Sequence, residues 1–248
     1  MVDGVAVVTG AGGAIGGATA RRLGEQGLTV LVTDIDAEAA QSTAESLSSD
    51  GIVAHPMQHD VTNRGDWEKV IAEVRTHGEL WATVNNAGLL RDSLLKKMTD
   101  EAWNTVIDVH LRGAFLGCSL SLQEFTSKGR ALRGGRIVSL SSTSYLGTLG
   151  QGNYAAAKGG IVSLTRVAAL EGARYGATAN AVAPGSVNTP LLHQTPEETL
   201  EQFRLRNPMQ RFAEPTEIAA VIAFLISADA SYINGQVIHV DGGDSAQV

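Results

Sequence analysis

Seven short runs of apolar, mostly β-branched residues recur along the chain, and amphipathic segments separate them. Most of these runs are apolar nearly throughout, which is typical of parallel strands that are covered on both faces. This alternation predicts an α/β fold, a single Rossmann-type doubly wound parallel sheet with helices on both faces. We predict one domain over residues 1–248, since a single large core fits this length. The predicted strands are Val5–Thr9, Thr29–Asp34, Ile52–Gln58, Leu80–Asn85, Arg136–Ser141, Thr178–Val182 and Gln236–Val240.

A proline-rich stretch from Pro184 to Pro215 interrupts this rhythm between the sixth strand and the next helix. Within it, Thr195-Pro196-Glu197-Glu198 predicts a helix that begins with a capping box and has proline at its first position. A long insertion with its own short helix is often a lid, so residues 184–215 are predicted to cover a substrate site. A surface loop without such a role is the alternative.

The first predicted strand runs into a glycine-rich turn, residues 9–17, and helical sequence follows it. Glycines let the backbone turn sharply and approach a pyrophosphate, whose charge is stabilised by the helix N-terminus. A strict GxGxxG is absent, because Ile15 stands where the third glycine would be. The predicted dinucleotide contacts in this turn are Gly10, Gly12, Gly13, Ala14 and Ile15.

Asp34 ends the second predicted strand, 18 residues beyond Gly16. An acid at this place accepts hydrogen bonds from the adenosine ribose and repels a 2′-phosphate. The next residues are Ile35 and Asp36, so no arginine follows to compensate that phosphate. The sequence therefore predicts NAD as the cofactor, with Asp34 and Ile35 among its contacts.

Tyr154 and Lys158 are four residues apart in a segment predicted to be helical to about Tyr175. Positions i and i+4 share a helix face, so the ammonium can lie near the phenol. The usual tyrosine pKa, near 10, is too high for proton exchange at neutral pH. A lysine cation and an oxidised nicotinamide both favour the phenolate, so we expect a lowered pKa for Tyr154.

In this order and at these spacings, the motifs resemble those of the short-chain dehydrogenase/reductase family over essentially the whole chain. The resemblance implies that Tyr154 exchanges a proton with the substrate oxygen. It also implies that Lys158 lowers the pKa of Tyr154 and holds the nicotinamide ribose, and that a serine orients the carbonyl. The features that carry it are Thr9–Gly16, Asp34, Asp60-Val61, Asn85-Asn86-Ala87-Gly88, the serines after the fifth strand, Tyr154 with Lys158, and Pro184-Gly185 with Thr189.

Further cofactor contacts follow from the same resemblance. Asp60 and Val61 are expected at the adenine, and Val187 and Thr189 at the carboxamide. The family is usually tetrameric, so we expect a homotetramer. The other cofactor-lining residues implied are Asn86, Ala87, Gly88, Pro184 and Gly185.

The chain departs from the family pattern at three positions. Ala14 replaces the middle glycine of TGxxxGxG, which a small methyl group should tolerate. The catalytic serine is Ser142 when counted from the fifth strand and Ser141 when counted back from Tyr154; we favour Ser142, because sheet register is rigid and loops tolerate deletions. His110 replaces an asparagine that anchors a water in the family's proton relay. It either serves that water chain as a catalytic residue or is a structural histidine between two backbone groups.

The stretches Arg91–Met98 and Gly150–Tyr154 resemble those of 3-oxoacyl reductases, enzymes of fatty acid metabolism. We therefore predict a 3-oxoacyl or 3-hydroxyacyl thioester as the substrate. The alternatives are a secondary-alcohol or sugar-alcohol dehydrogenase with the same machinery and a non-catalytic dinucleotide sensor. An acyl chain needs an apolar trough, for which Leu191, Leu192, Leu200 and Phe203 are candidates. Four basic residues are interpreted either as a docking patch for an acidic carrier protein or as ordinary solvated surface, namely Lys128, Arg130, Arg133 and Arg174.

Composition excludes several other functions. The net charge of −7 disfavours nucleic acid as a partner. Cys118, the only cysteine, allows no intrachain disulfide and is interpreted as a buried apolar side chain. The longest apolar run, Ile218 to Ile226, is too short to cross a bilayer, and a strand begins near the N-terminus without a preceding signal peptide. We therefore expect a cytoplasmic protein, and no metal site is predicted.

Overall fold

The chain forms one seven-stranded sheet in the order β3-β2-β1-β4-β5-β6-β7, and every neighbouring pair is parallel. The computed structural model describes residues 4–127, 134–190 and 192–247. This topology confirms the predicted Rossmann-type sheet. The strands are β1 (Val5–Thr9), β2 (Thr29–Asp34), β3 (Ala54–Gln58), β4 (Leu80–Asn85), β5 (Gly135–Leu140), β6 (Ala177–Pro184) and β7 (Val237–Val240).

Three strands have the predicted bounds, and four differ at their ends. The start of β3 moves to Ala54, because pairing with β2 begins there. The prediction that β5 ends at Ser141 was wrong: β5 ends at Leu140, after which the chain turns into a 3₁₀ turn. β6 runs on to Pro184, paired with β7 along its carboxyl half.

Helices cover both faces of the sheet. Side chains that alternate along β1 enter opposite layers: Val5 and Val7 pack with the α3, α5 and α6 side, and Ala6 and Val8 with the α1, α2 and α8 side. Burial on both faces explains why most residues of the inner strands are apolar. The helices are α1 (Ala14–Glu25), α2 (Ala37–Ser49), α3 (Arg64–His77), α4 (Asp100–Ile107), α5 (Gly113–Phe125), α6 (Gly152–Gly172), α7 (Glu197–Arg206) and α8 (Pro215–Ile226).

A π-helical turn, Asp108–Arg112, joins α4 to α5 and carries His110 at its centre. Such turns insert an extra residue into the helical ladder and are frequent at functional sites. The buried His110 side chain lies on the side of this turn that faces α6.

The insertion between β6 and α8 is closed at its neck. The Asn188 N–H donates to the Ala213 carbonyl at 2.8 Å, and the Ala213 N–H donates to the Ser186 carbonyl at 3.0 Å. The predicted capping box was wrong. Pro196, with extended backbone, is itself the N-cap of α7, so Thr195 lies outside the helix and no side chain caps it.

In the described ranges, no helix has the length and apolar character needed to cross a membrane.

Candidate active site

The predicted site residues gather at the carboxyl edge of the sheet. The strand order reverses between β1 and β4, and in doubly wound sheets ligands bind in the crevice outside this switch point. Loops after β1, β2, β3, β4, β5 and β6 all begin at this edge.

The glycine turn after β1 is shaped by close backbone approach. Gly10 has φ +63°, and a Cβ on it would lie 2.8 Å from Ala87 Cα. A Cβ on Gly16 would clash with the Gly10 carbonyl. Ala14 is the first residue of α1, and the N-cap Gly13 has no side chain to occupy the first-turn N–H groups. No acid lies in that first turn, so the donors of a twelve-residue helix fit an anion such as a pyrophosphate. Ile15 instead packs partly buried against the core.

Asn86 fastens this turn to the end of β4. Its Nδ2 donates to the carbonyls of Thr9 at 2.8 Å and Gly10 at 3.1 Å. The Thr9 hydroxyl in turn accepts from the N–H groups of Asn86 and Ala87. Asn86 thus positions the turn with its side chain. Gly88 leaves room for His110, since a Cβ there would clash with the imidazole.

Asp34 points its carboxylate at the glycine turn. Oδ2 accepts the Gly12 N–H at 3.0 Å, and Oδ1 accepts the Asp36 N–H at 3.1 Å. Asp36 has a separate task, because its own carboxylate caps α2. Ile35 is 62% exposed beside Asp34. The orientation of Asp34 suits an acceptor for the hydroxyls of a ribose held next to the turn.

The loop after β3 lies at the same edge. Asp60 Oδ1 accepts from the backbone N–H and the hydroxyl of Thr62, at 2.9 and 2.7 Å. The buried Val61 lines a small internal cavity of about 10 Å³ together with His110.

The loop after β6 is held against the end of β7. The Gly185 N–H donates to the Val240 carbonyl at 3.1 Å. Val187 is buried and pairs with Ala213 across the neck of the insertion. The Thr189 hydroxyl accepts the Leu192 N–H at 3.3 Å. Pro184, the last residue of β6, therefore leads this loop toward the site.

Lys158 lies one turn after Tyr154 on α6, with Nζ 5.3 Å from the centroid of the tyrosine ring. Its Nζ donates to the Leu140 carbonyl at 2.5 Å, and the side chain is buried. Burial lowers the pKa of Lys158 to about 7.

The expectation of a lowered pKa for Tyr154 was wrong for the groups that this chain supplies. The pKa of Tyr154 is raised to about 12, mainly by burial and to a smaller extent by the nearby Asp92 charge. A hydrogen bond with Ser142 acts in the opposite direction and is the weaker influence. Among the groups that this chain supplies, none offsets the loss of water around the phenol.

The two candidate serines have different partners. Ser141 is buried, and its hydroxyl donates to the Lys158 carbonyl at 2.9 Å. The Ser142 hydroxyl, by contrast, is close enough to the Tyr154 phenol to lower its pKa. Its Oγ also accepts the Ser144 N–H at 3.2 Å, which fixes the start of the 3₁₀ turn. Ser142 is therefore the serine that faces the phenol.

His110 packs edge-on against the Tyr154 ring, with centroids 5.1 Å apart. Its Nε2 lies 3.0 Å from the Leu89 N–H and 2.8 Å from the Leu89 carbonyl. The pKa of His110 is lowered to about 3, mainly by burial and to a smaller extent by the neighbouring Lys158. A neutral imidazole bonded to Leu89 can position Tyr154. Its Nδ1 has no protein partner among the described residues and lines the internal cavity.

A strap formed by Arg91–Ser93, between β4 and α4, was not identified as part of the site from the sequence. Asn153 is fully buried, and its Nδ2 donates to the carbonyls of Arg91 at 3.0 Å and Ala102 at 3.1 Å. Asp92 accepts a hydrogen bond from Gln151 at 2.8 Å. The sequence held one indication of this contact. The stretches Arg91–Met98 and Gly150–Tyr154 resemble the same group of enzymes, although they are about 60 residues apart in the chain.

Part of the predicted docking patch lies outside the described residues, namely Lys128, Arg130 and Arg133. Arg174 is described, and its guanidinium stacks on the Tyr175 ring 4.8 Å from the centroid. Cys118 is buried with its pKa raised to about 12 by desolvation, as expected of an unreactive thiol.

Known proteins are similar to this chain over almost its whole length. A family profile described as Enoyl-(Acyl carrier protein) reductase matches residues 10–245. The chain is 39% identical over 241 residues to a 3-oxoacyl-[acyl-carrier-protein] reductase of Staphylococcus aureus, covering 96% of each chain. It is 35% identical over 242 residues to a (2S)-[(R)-hydroxy(phenyl)methyl]succinyl-CoA dehydrogenase subunit of Thauera aromatica, covering 97% of this chain and 96% of that one. The crystal structure of levodione reductase superimposes with a TM-score of 0.93 at 33% identity and covers 98% of both chains.

Proposed function

Because this chain belongs to the short-chain dehydrogenase/reductase family, we propose that it interconverts 3-oxoacyl and 3-hydroxyacyl thioesters with NAD(H). The chain is an oxidoreductase of that family. The thioester assignment is supported by relatives that act, by name, on acyl-carrier-protein and coenzyme A thioesters. Its strongest single support is the near-complete coverage of the 3-oxoacyl reductase from Staphylococcus aureus.

The cofactor would lie along the carboxyl edge of the sheet. The N–H groups at the start of α1 would hold its pyrophosphate, and Asp34 would accept hydrogen bonds from its adenosine ribose. Preference for NAD is supported by the negative charge of Asp34 and by the lack of a following cation. When bound, the nicotinamide exchanges the hydride and, when oxidised, brings a positive charge into the site.

Tyr154 would move the proton. With a pKa of about 12, the phenol is protonated at neutral pH, which is the form that donates to a carbonyl oxygen as it becomes an alcohol. Ser142 would donate a second hydrogen bond to the same oxygen and orient it. Lys158 would hold the nicotinamide ribose, and His110 would keep the Tyr154 ring in place from behind.

The insertion over residues 184–215 would cover the acyl chain. Its closed neck holds both ends at the site, and α7 contributes the buried Leu200 and the 43% exposed Phe203. Leu192 is half-buried, and Leu191 lies outside the described residues.

The two serines provide a direct test of the site. Replacing Ser142 with Ala removes the hydroxyl that faces the phenol, and we expect kcat to fall about 10²-fold, as for other removed oxyanion donors. Replacing Ser141 with Ala removes one buried bond to the Lys158 carbonyl, which costs stability of about 1 kcal/mol. The measurement is kcat beside the melting temperature for each variant. A severe kcat loss confined to Ser141→Ala would reverse the assignment.

We also propose a homotetramer. The exposed faces of α5 and α6 form one surface groove that is partly lined by the apolar side chains of Phe115, Val167 and Leu170, which are 46%, 50% and 80% exposed. An apolar surface of this kind favours association. Light scattering at micromolar concentration should give a tetrameric mass, and Leu170→Glu should lower it. A monomeric mass for the unaltered chain would contradict the proposal.

A secondary-alcohol or ketone dehydrogenase is the second candidate, because the structural neighbour is by name a levodione reductase. A sugar-alcohol dehydrogenase would use the same machinery, but it would need polar groups to pair the hydroxyls of its substrate. Turnover of any of these substrates would remove the third possibility, a non-catalytic dinucleotide sensor. A panel of acetoacetyl thioesters, ketones and sugars distinguishes the three.

A further inference from the structure

The segment Arg91–Ser93 after β4 is tied to the residues that begin the catalytic helix α6. The Ser93 N–H donates to the Gly150 carbonyl at 2.8 Å, and Ser93 forms a parallel bridge with Gln151. Asn153 Nδ2 adds a third link at 3.0 Å to the Arg91 carbonyl. The backbone of residue 92 is therefore held in a fixed place relative to Tyr154.

The Asp92 carboxylate belongs to this arrangement. Its Oδ2 accepts a hydrogen bond from Gln151 Nε2 at 2.8 Å. Gln151 is the N-cap of α6 and stands three positions before Tyr154, so the carboxylate lies beside the start of the helix that carries the phenol. The field of Asp92 reaches that far, because it is one of the causes that raise the pKa of Tyr154.

The Asp92 charge is not neutralised within the described part of the chain. The adjacent Arg91 guanidinium donates to the Leu90 carbonyl, and no ion pair joins Asp92 to a described cation. A negative charge at this place opposes formation of the phenolate, which oxidation of an alcohol requires. The place of Asp92 beside the site suits it to a different role, which is selection of the substrate.

We infer that Asp92 is a specificity-determining residue that disfavours anionic 3-oxo and 3-hydroxy acids and so directs the site to uncharged thioesters. This inference rests on the proposed function. In a 3-oxo acid, one methylene group separates the reacting carbon from the carboxylate. If the C3 oxygen binds at Tyr154, a carboxylate one methylene group away would come within range of the Asp92 charge at the start of α6, and like charges repel. In a thioester an uncharged carbonyl group takes the place of that carboxylate, so Asp92 does not repel it.

The magnitude of this discrimination follows from Coulomb's law. Two unit charges about 8 Å apart, at effective dielectric constants between about 80 and 20, change a binding or rate constant by roughly two- to thirty-fold. Since Asp92 is exposed, we expect about five-fold, decreasing as added salt screens the charge.

The test compares two small substrates in Asp92→Asn: acetoacetate, which is anionic, and acetoacetyl-N-acetylcysteamine, which is a neutral thioester. Asparagine keeps an oxygen to accept from Gln151, so the fold of the strap is retained. The matched control is Glu45→Gln, which makes the same charge change on an exposed position of α2. The readout is kcat/KM for each substrate at low and high salt.

We expect Asp92→Asn to raise the ratio of kcat/KM for acetoacetate to kcat/KM for the thioester about five-fold, and we expect high salt to remove this difference. Glu45→Gln should change neither value. An unchanged ratio of the two substrates in Asp92→Asn, or an equal rise for both, would overturn the inference. If the unaltered enzyme reduces no thioester, the proposed function fails, and the charge test is then made with the neutral and carboxylated forms of whichever alcohol is turned over.

Discussion

Replacing Tyr154 with Phe should lower kcat by at least about 10²–10⁴-fold while NADH binding stays within a few-fold. The phenol is the group that meets both Ser142 and the lysine on the next turn, and Phe keeps the ring without its proton. The ring also packs edge-on with His110, a contact that Phe preserves, so the fold should be retained.

Kinetics and binding have to be measured together for this variant. NADH binding followed by fluorescence titration separates a chemical defect from a lost cofactor site. Tyr232→Phe is the matched control, because Tyr232 is fully exposed and should tolerate the loss of its hydroxyl. Near-normal kcat in Tyr154→Phe would refute the role assigned to the phenol.

Replacing Asp34 with Ala should reduce the preference for NADH over NADPH by about 10- to 100-fold. Hydrogen bonds to a charged group contribute about 1.5–3 kcal/mol, and the same substitution removes the repulsion of a 2′-phosphate. The effect should be specific to this carboxylate, because Gly12 and Asp36 hold it facing the glycine turn.

The neighbouring acid supplies the control for that experiment. Asp36 caps α2, so Asp36→Ala should cost about 1 kcal/mol of stability and leave the cofactor ratio nearly unchanged. The measurement is kcat/KM with each cofactor for the unaltered chain and both variants. A ratio near one in the unaltered chain, or one that favours NADPH, would contradict the assignment of NAD.

The fold was predictable because its signal is repeated along the whole chain. The five inner strands are buried along most of their length, which left little choice but a parallel sheet between two helical layers. The errors were at the ends of strands and helices, where the conformation of a single turn decides at which residue an element begins or ends. Thr195 and Pro196 both suit a helix start, and the backbone of Pro196 made it the cap.

The site was predictable in its residues but less so in its electrostatics. Spacing put Lys158 beside Tyr154, but it gave no measure of how deeply either group is buried, and burial dominates both pKa values. The choice between Ser141 and Ser142 depended on where β5 ends, which counting along the sequence left open. Asp92 was not recognised because its contact with Gln151 joins distant parts of the chain.

The central claim is that this oxidoreductase acts on 3-oxoacyl thioesters, and the rate of NADH oxidation with matched substrates tests it most directly. Acetoacetyl-CoA, an unactivated small ketone and a sugar are each supplied to the same enzyme, and kcat/KM is compared. The account predicts that the thioester is reduced far better than the other two. If acetoacetyl-CoA is reduced no better than the ketone, while a sugar or polyol is turned over well, the thioester assignment is wrong and the alcohol dehydrogenase alternative stands.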